Sequence, residues 1–414
     1  MFFHKAKLKR TLFPVLLTYF LDNFGLAIIY PIFTPLIIKT ELSFLPLTTS
    51  HSARAILLGC LIASFPLAQF FGAPLIGQFS DRFGRKKAFC VTVLGTTLGY
   101  ALTALSLHLH SLTGLFISRC FTGLFAGNLT LCLAALADLS PNNTSRTRNF
   151  SLVSAVGGMS FILAILFGGF LSDPTAFSHF NPSFPFWITA LFSCINFFCI
   201  LLLFHETHKG PRHPGVNPLQ GINNLKLGIQ NKTLRTLYSV NFLVMLSWIA
   251  CMQFLPAFLL ERFKFSLQDI TLCLMLVGAL WSLSNLLLNR TLAKRLYPGH
   301  ILLGSSILLA LLLLFTLMTH SATSFLLLFF PAVCFAALCW TNVLATLSLK
   351  TPSTIQGSVL GINQSMTSMA ALLGPLLGGL LIAINPHAVY LFGGILTLTA
   401  FCILLSHKAH SPTS

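Results

Sequence analysis

Only one of the chain's eight acidic side chains, Asp22, falls inside a long apolar run, and one cation, Arg119, does the same. An ionised carboxylate at membrane depth is costly unless it is paired, hydrated or protonated. Asp22 is therefore the position where a proton could be taken up on one side and released on the other. The plainer reading is a neutral Asp bonded to a neighbouring helix. Arg119 keeps its charge at any working pH and needs a carboxylate, carbonyls or water. Its competing reading is a side chain that snorkels to the outer interface. Gly123 and Gly127 lie four apart after it, the spacing of close helix contacts.

A second cluster runs from Gly77 to Lys87, with Asp81, Arg82, Arg85, Lys86 and Lys87 packed into seven residues between two apolar runs. Such a segment must lie in water or among headgroups. Gly77 and Gly84 are read as allowing close backbone approach and a tight turn. Asp81 is placed to cap or charge-stabilise a helix N-terminus, and Arg85 to pair with Asp138 at the end of the fourth run. Amides inside the runs form a third set: Gln69, Asn128, Asn241, Gln253, Asn285, Asn342, Asn363 and Gln364. Hydrocarbon satisfies none of them, so they bond neighbouring helices or, in a minority, touch a substrate. Trp248, Trp281 and Trp340, with the many Phe residues, would build an aromatic cavity suited to a flat, lipophilic compound; Phe facing lipid is the plainer alternative.

Other chemistries are poorly served. The eleven Cys include no C-x-x-C pair and the thirteen His form no ligand cluster, so no metal or disulfide framework is expected. There is no P-loop for ATP and no nucleophile–base constellation. Neither an enzyme nor a resident cofactor is expected.

These residues need elements to hold them, and the composition says which. The chain is 55% hydrophobic and 8% charged, against roughly 25% charged in a soluble domain. Its solvent is the bilayer. Apolar runs recur twelve times, near 11–37, 55–79, 88–107, 112–138, 150–171, 185–204, 238–260, 269–288, 300–319, 323–348, 357–383 and 388–406. If the N-terminus is inside, twenty of the 25 Lys and Arg fall in cytoplasmic segments and four outside, so both termini are expected in the cytoplasm. The +17 net charge thus reads as topology, with no nucleic-acid partner. The Asn142–Thr144 glycosylation sequon falls on the cytoplasmic side and is expected to be silent. A Pro-, Gly- and Asn-rich hydrophilic stretch, 205–237, separates an N-terminal half, 1–204, from a C-terminal half, 238–414. Tyr30-Pro31-Ile32-Phe33 is echoed by Leu255-Pro256-Ala257-Phe258, a weak internal repeat. Asn289–Pro298 stands where a second copy of the Gly77–Lys87 cluster would fall, without its Asp and Gly. Two duplicated six-helix halves are how many secondary transporters build a central site.

The pattern Gly77-x-x-x-Asp81-Arg82-x-Gly84-Arg85-Lys86-Lys87 resembles the loop between the second and third helices of the major facilitator superfamily. Leu21–Pro31, Arg119-x-x-x-Gly123, Ala137-Asp138 with Arg146 and Arg148, Glu206–Gly210, Asn217-Pro218-Leu219, Gln356-Gly357 and Gly374–Gly379 are similar to its drug/proton antiporter group, especially the tetracycline exporters. The resemblance implies an all-α integral membrane fold of twelve helices in two six-helix halves. It also implies proton-coupled export of a small lipophilic or amphipathic compound by alternating access. Asp22 would carry the proton with Arg119 as partner, and the Gly77–Lys87 cluster with Asp138 would latch the cytoplasmic side. A monomer in a bacterial plasma (inner) membrane is expected. Two positions depart from the group. The fifth helix reads Ala164-Ile165-Leu166-Phe167-Gly168-Gly169 without the Gly-Pro that the family links to antiport. Helices three and nine lack the tetracycline exporters' carboxylates, with Gly99-Tyr100 near the first of those places. An importing proton symporter for a nutrient, metabolite or metal chelate is the alternative. A non-transporting receptor or scaffold is the third reading.

Overall fold

The computed structural model describes residues 2–38, 44–139, 143–171, 181–207, 232–350 and 356–410, and every regular element among them is helical. In chain order these are α1 (Phe2–Ala27), α2 (Ile29–Ile38), α3 (His51–Phe83), α4 (Arg85–His108), α5 (Leu112–Phe125), α6 (Asn128–Asp138), α7 (Asn143–Leu171) and α8 (Phe184–Leu203). There follow α9 (Lys232–Gln253), α10 (Leu255–Phe263), α11 (Leu267–Leu283), α12 (Pro298–Phe315), α13 (Ala322–Leu349), α14 (Gln356–Ile384) and α15 (Ala388–His410). Among the described residues ten helical stretches are long and apolar enough to cross a membrane, and Leu112–Phe125 and Val156–Phe170 are shorter apolar helices. The central stretch from His208 to Asn231, Asn142 of the sequon, and the side chains of Asp81, Arg146, Arg148, Gln356 and Gly357 lie outside the described residues.

Helix α4 shows why these elements are apolar all round. Phe89, Val93, Tyr100, Ala104 and Leu107 are buried, while Leu94, Leu98, Leu102 and Leu105 on the other face stay exposed. Leu facing outward along three turns is stable only where the surroundings are hydrocarbon.

Three expected runs are interrupted, and the reasons are local. Pro31 and Pro256 have no N–H, and their rings crowd the carbonyl four residues back. The helices accordingly break at Ile28, between α1 and α2, and at Phe254, between α9 and α10. The 112–138 run, read from the sequence as continuous, is two helices parted at Ala126-Gly127. No proline is involved there. A Cβ at Gly72 would strike the Leu124 carbonyl and one at Gly123 the Phe65 carbonyl, so α3 and α5 meet backbone to backbone beside the break.

The charged cluster was expected as a loop, and most of it is helix. Asp81 and Arg82 lie in the last turn of α3, and α4 begins at Arg85, leaving Gly84 as the whole connection. Gly84 has φ 97°, a region that glycine enters at little cost. Gly77 has no such duty: a Cβ there would meet no described atom within 4 Å.

The chain divides into two compact units, Met1–Leu36 with Ser64–Gln220, and Ile37–Ala63 with Gly221–Ser414. In the first, a core of Val15, Phe89, Leu131, Cys132, Leu136 and Phe204 joins α1, α4 and α8 to α6. In the second, α9 packs on α14 and α15, and α12 on α13 and α15. An aromatic run of Phe258, Phe325, Phe329, Trp248, Trp281 and Trp340 threads this unit.

Candidate functional site

Asp22 lies on α1, partly exposed, and its Oδ1 accepts a hydrogen bond from Asn128 Nδ2 at 3.0 Å. The backbone N–H of Asn128 also serves this carboxylate. Asn128 is the first residue of α6, so the break in the fourth run delivers a helix N-terminus to the acid. Free N–H groups and the positive end of the helix dipole both favour negative charge there. On the other side of the break, the Gln69 amide of α3 donates to the Ala126 carbonyl. Gln69 thus satisfies a backbone group that the interruption releases. Asn128 is 1% exposed, and its Oδ1 has no hydrogen-bond partner among the described residues.

Tyr100 stands beside this pair. Its hydroxyl donates to the Leu21 carbonyl at 3.3 Å, and its ring fills the space that a side chain at Gly25 would need. It lies within electrostatic reach of both Asp22 and Arg119. Arg119 forms no ion pair with Asp22. It is fully buried, so it does not snorkel, and none of its three guanidinium nitrogens has a hydrogen-bond partner among the described residues. The guanidinium lies 4.6 Å from the Phe65 ring centroid and 5.9 Å from that of Phe33. Cation–π attraction offsets part of its desolvation and leaves five N–H donors unused.

At the far end of the same unit the charged cluster is tied together. Arg85 Nε lies 3.5 Å from Asp138 Oδ2, the pairing read from the sequence, and its guanidinium also donates to Ser80 Oγ at 2.7 Å. Lys86 Nζ donates to the Leu201 carbonyl at 2.8 Å, and Arg82 lies 5.1 Å over the Phe83 ring. A carboxylate at the α4 N-terminus is that of Glu206, while the Asp81 side chain, read from the sequence for such a role, lies outside the described residues. Glu206 accepts from the backbone N–H of Arg85 at 2.9 Å and of Lys86 at 3.1 Å. Thr207 next to it donates to Asp138 Oδ2 at 3.3 Å. Sequence reasoning noticed Glu206-Thr207 as a family element and missed this role, because the contact spans 121 positions.

Several amides of the second unit bond within it, to one another, to threonines or to the backbone. Asn342 donates to Asn289 Oδ1 and to the Leu338 carbonyl, both at 2.8 Å, and Asn285 accepts from Thr341 at 2.5 Å. Asn241 donates to Thr367 at 3.0 Å. Asn241, Gln253 and Asn363 each bury a side-chain oxygen without a hydrogen-bond partner among the described residues. Gln364 is exposed. Trp248 stacks on Trp281 at 5.4 Å, and Trp340 lies 6.2 Å beyond, so the three indoles form one run. Two charged groups of this unit are tied in place. Arg54, one of the four cations counted outside the cytoplasmic segments, is 2% exposed and donates to the Ile37, Pro46 and Thr49 carbonyls. His51 Nε2 meets Glu261 Oε1 at 2.6 Å.

Known proteins share this architecture. The family model of the Major Facilitator Superfamily matches residues 15–363 and 292–414. The class C tetracycline resistance protein of Escherichia coli is 26% identical over 377 residues, 90% of this chain and 89% of that one. Multidrug resistance protein 1 of Bacillus subtilis (strain 168) is 25% identical over 405 residues, 96% of each. The class H tetracycline resistance protein of Pasteurella multocida is 30% identical over 202 residues, and that match spans about half of either chain, 49% and 46%. Among solved structures, the human organic anion transporter MFSD10 (TETRAN) superposes with a TM-score of 0.71 at 21% identity, over 96% of this chain and 99% of that one. With apolar helices throughout and a family of transport and resistance proteins around it, this multi-pass membrane protein is a transporter rather than an enzyme, and it belongs to the Major Facilitator Superfamily.

Proposed function

We propose that this protein is a proton-coupled exporter of a small lipophilic or amphipathic compound in a bacterial plasma (inner) membrane. Residues 1–204 and 238–414 act as two six-helix halves, 205–237 joins them in the cytoplasm, and both termini are cytoplasmic. The observation that carries the reading is Asp22, a partly exposed carboxylate held at the N-terminus of α6, with the buried Arg119, whose guanidinium has no hydrogen-bond partner among the described residues, in the same unit. Asp22 is the proton carrier. Arg119 biases its charge through Tyr100, and Arg85, Asp138 and Glu206 hold the cytoplasmic latch. The resistance proteins named above support export, and the aromatic run of the second unit supports a flat, lipophilic cargo.

The test uses inside-out vesicles holding a pH-sensitive dye and an acid interior. A panel of lipophilic drugs and metabolites is then added. Proton release evoked by one compound, and abolished in Asp22→Asn, is expected. The Ala164–Gly169 run without Gly-Pro favours a second reading, proton symport inward. It wins if no compound releases protons there but one is taken up together with protons in right-side-out vesicles.

A further inference from the structure

Helix α6 has a functional group at each end. Its first residue, Asn128, holds the Asp22 carboxylate through side chain and backbone, and its last, Asp138, holds Arg85 and Thr207. Eleven helical residues rise about 16 Å, so one short rod spans the distance from the acid to the latch. The break at Ala126-Gly127 separates this rod from α5, while Leu131, Cys132, Ala135 and Leu136 bury one side of it. Asn128 is also an unusual choice of residue: it is 1% exposed with an oxygen that bonds to nothing described. An amide with an idle acceptor can turn over. It donates to a carboxylate and accepts from a carboxylic acid, so its better orientation depends on whether Asp22 carries the proton.

We propose that Asn128 is the positioning residue that transmits the protonation state of Asp22 along α6 to the Arg85–Asp138–Thr207 latch. The inference rests on the proton-carrier reading of Asp22. With Asp22 ionised, the charge-assisted bond from Nδ2 and the α6 N-terminus hold the rod toward α1, and Asp138 stays on Arg85 and Thr207, as in this structure. When a proton binds Asp22, the bond loses its charge and the dipole loses its partner. The rod is released at its N-terminus, and Asp138 loosens at the other end. Among the described residues, few other groups near Asp22 compete for this role. Tyr19 on its own helix, Tyr100 from α4 and Cys132 from α6 are within electrostatic reach, while α7 and α8 present the non-titrating Ser160 and Asn196 to Phe20 and Thr18.

Hydrogen exchange on the full chain in nanodiscs tests the link, read at the Arg85 and Lys86 amides that Glu206 caps and corrected for the intrinsic pH dependence of exchange. Between pH 8.5 and 5.5 wild-type protection of these amides should fall by about tenfold. Asp22→Asn should abolish that pH dependence. Asn128→Leu should also abolish it while Asp22 still takes protons, and Asn128→Gln, which restores the amide, should recover part of it. The idea is overturned if Asn128→Leu follows the wild-type pH profile, or if the latch amides ignore pH in the wild type. Vesicle proton release measured alongside separates the two readings. Wild-type release with an Asn128-independent latch sinks the link alone. An Asn128-dependent latch without compound-driven release sinks the transport reading alone.

Discussion

The two units answer the same duplicated pattern with different chemistry. Both break a helix just before a proline, at Pro31 and at Pro256. Nine residues before each stands Asp22 in one and Ser247 in the other. Asp22 is partly exposed and bonded to a helix N-terminus. Ser247 is fully buried and donates to the Gly393 carbonyl at 2.8 Å while accepting from Thr397 at 2.9 Å. The connections differ in the same sense. The α3–α4 turn is a single glycine locked by Glu206, Arg85 and Asp138. Its counterpart ends in a π-helical turn, Ser284–Asn289, followed by Arg290, Lys294 and Arg295, all exposed. Among the described residues, the first unit holds a carboxylate within an apolar helix, Asp22, and the second offers neutral amides and stacked indoles. On the proposed reading, proton work falls to the first unit and cargo recognition to the second.

The sharpest way to break that division is to move the acid. Asp22→Asn should cut proton-coupled flux in vesicles by about a hundredfold, the scale of losing a positioned proton-transfer group, while Ser247→Ala leaves it within about twofold. Comparable losses from both substitutions would put proton chemistry in both units. Arg119→Met comes next, and its two effects oppose. Removing a buried charge that has no hydrogen-bond partner should raise the melting temperature of the purified protein, since an unpaired buried ion costs several kcal/mol. Coupled transport should be lost in the same variant. A lower melting temperature would mean that Arg119 is held by interactions stronger than its contacts with Phe65 and Phe33. Smaller again is Glu206→Ala, which strips two acceptors from the α4 N-terminus and should cost about 1–2 kcal/mol in local opening, read as faster exchange of the Arg85 and Lys86 amides. Arg290→Ala in the second unit should change neither exchange nor flux.

The sequence was informative where a residue's cost depends on its depth alone. Asp22 and Arg119 stood out because charge in hydrocarbon is expensive wherever the fold puts it. The Arg85–Asp138 pair was readable because both are charges at the ends of apolar runs expected on the same side, and the family resemblance joins them in a latch. Contacts made by neutral groups far apart in sequence were not readable. Nothing local tells that Asn128 faces Asp22, 106 positions away, or that Tyr100 leans on Gly25. The break in the fourth run escaped because no proline marks it; the close glycine contacts of α3 and α5 lie beside it. Asp81 was read as a capping acid for its nearness in sequence to the α4 N-terminus, and its side chain lies outside the described residues; Glu206, which nearness could not suggest, reaches that terminus through space.

The smallest effect concerns the rim of the second unit, where titratable groups do occur. His387, between α14 and α15, sets its ring 5.2 Å from that of Phe258, and its Nδ1 is buried without a hydrogen-bond partner among the described residues. Burial first, then the nearby Arg262 and His320, push its pKa below the ordinary imidazole value. An unfolded chain takes up this proton near the ordinary value of about 6.5, and the folded chain resists it until lower pH. Any stability that depends on a neutral His387 is therefore complete above that range and declines as pH falls through it. His387→Gln should remove this acid sensitivity, narrowing the fall in melting temperature between pH 7.5 and 5.5 by about 1–2 °C, the scale of a partly exposed site. The pH profile of proton flux should stay where Asp22 sets it. If that profile moved with His387→Gln, the rim of the second unit would be part of the proton path, and the division of labour between the units would fail at its weakest charge.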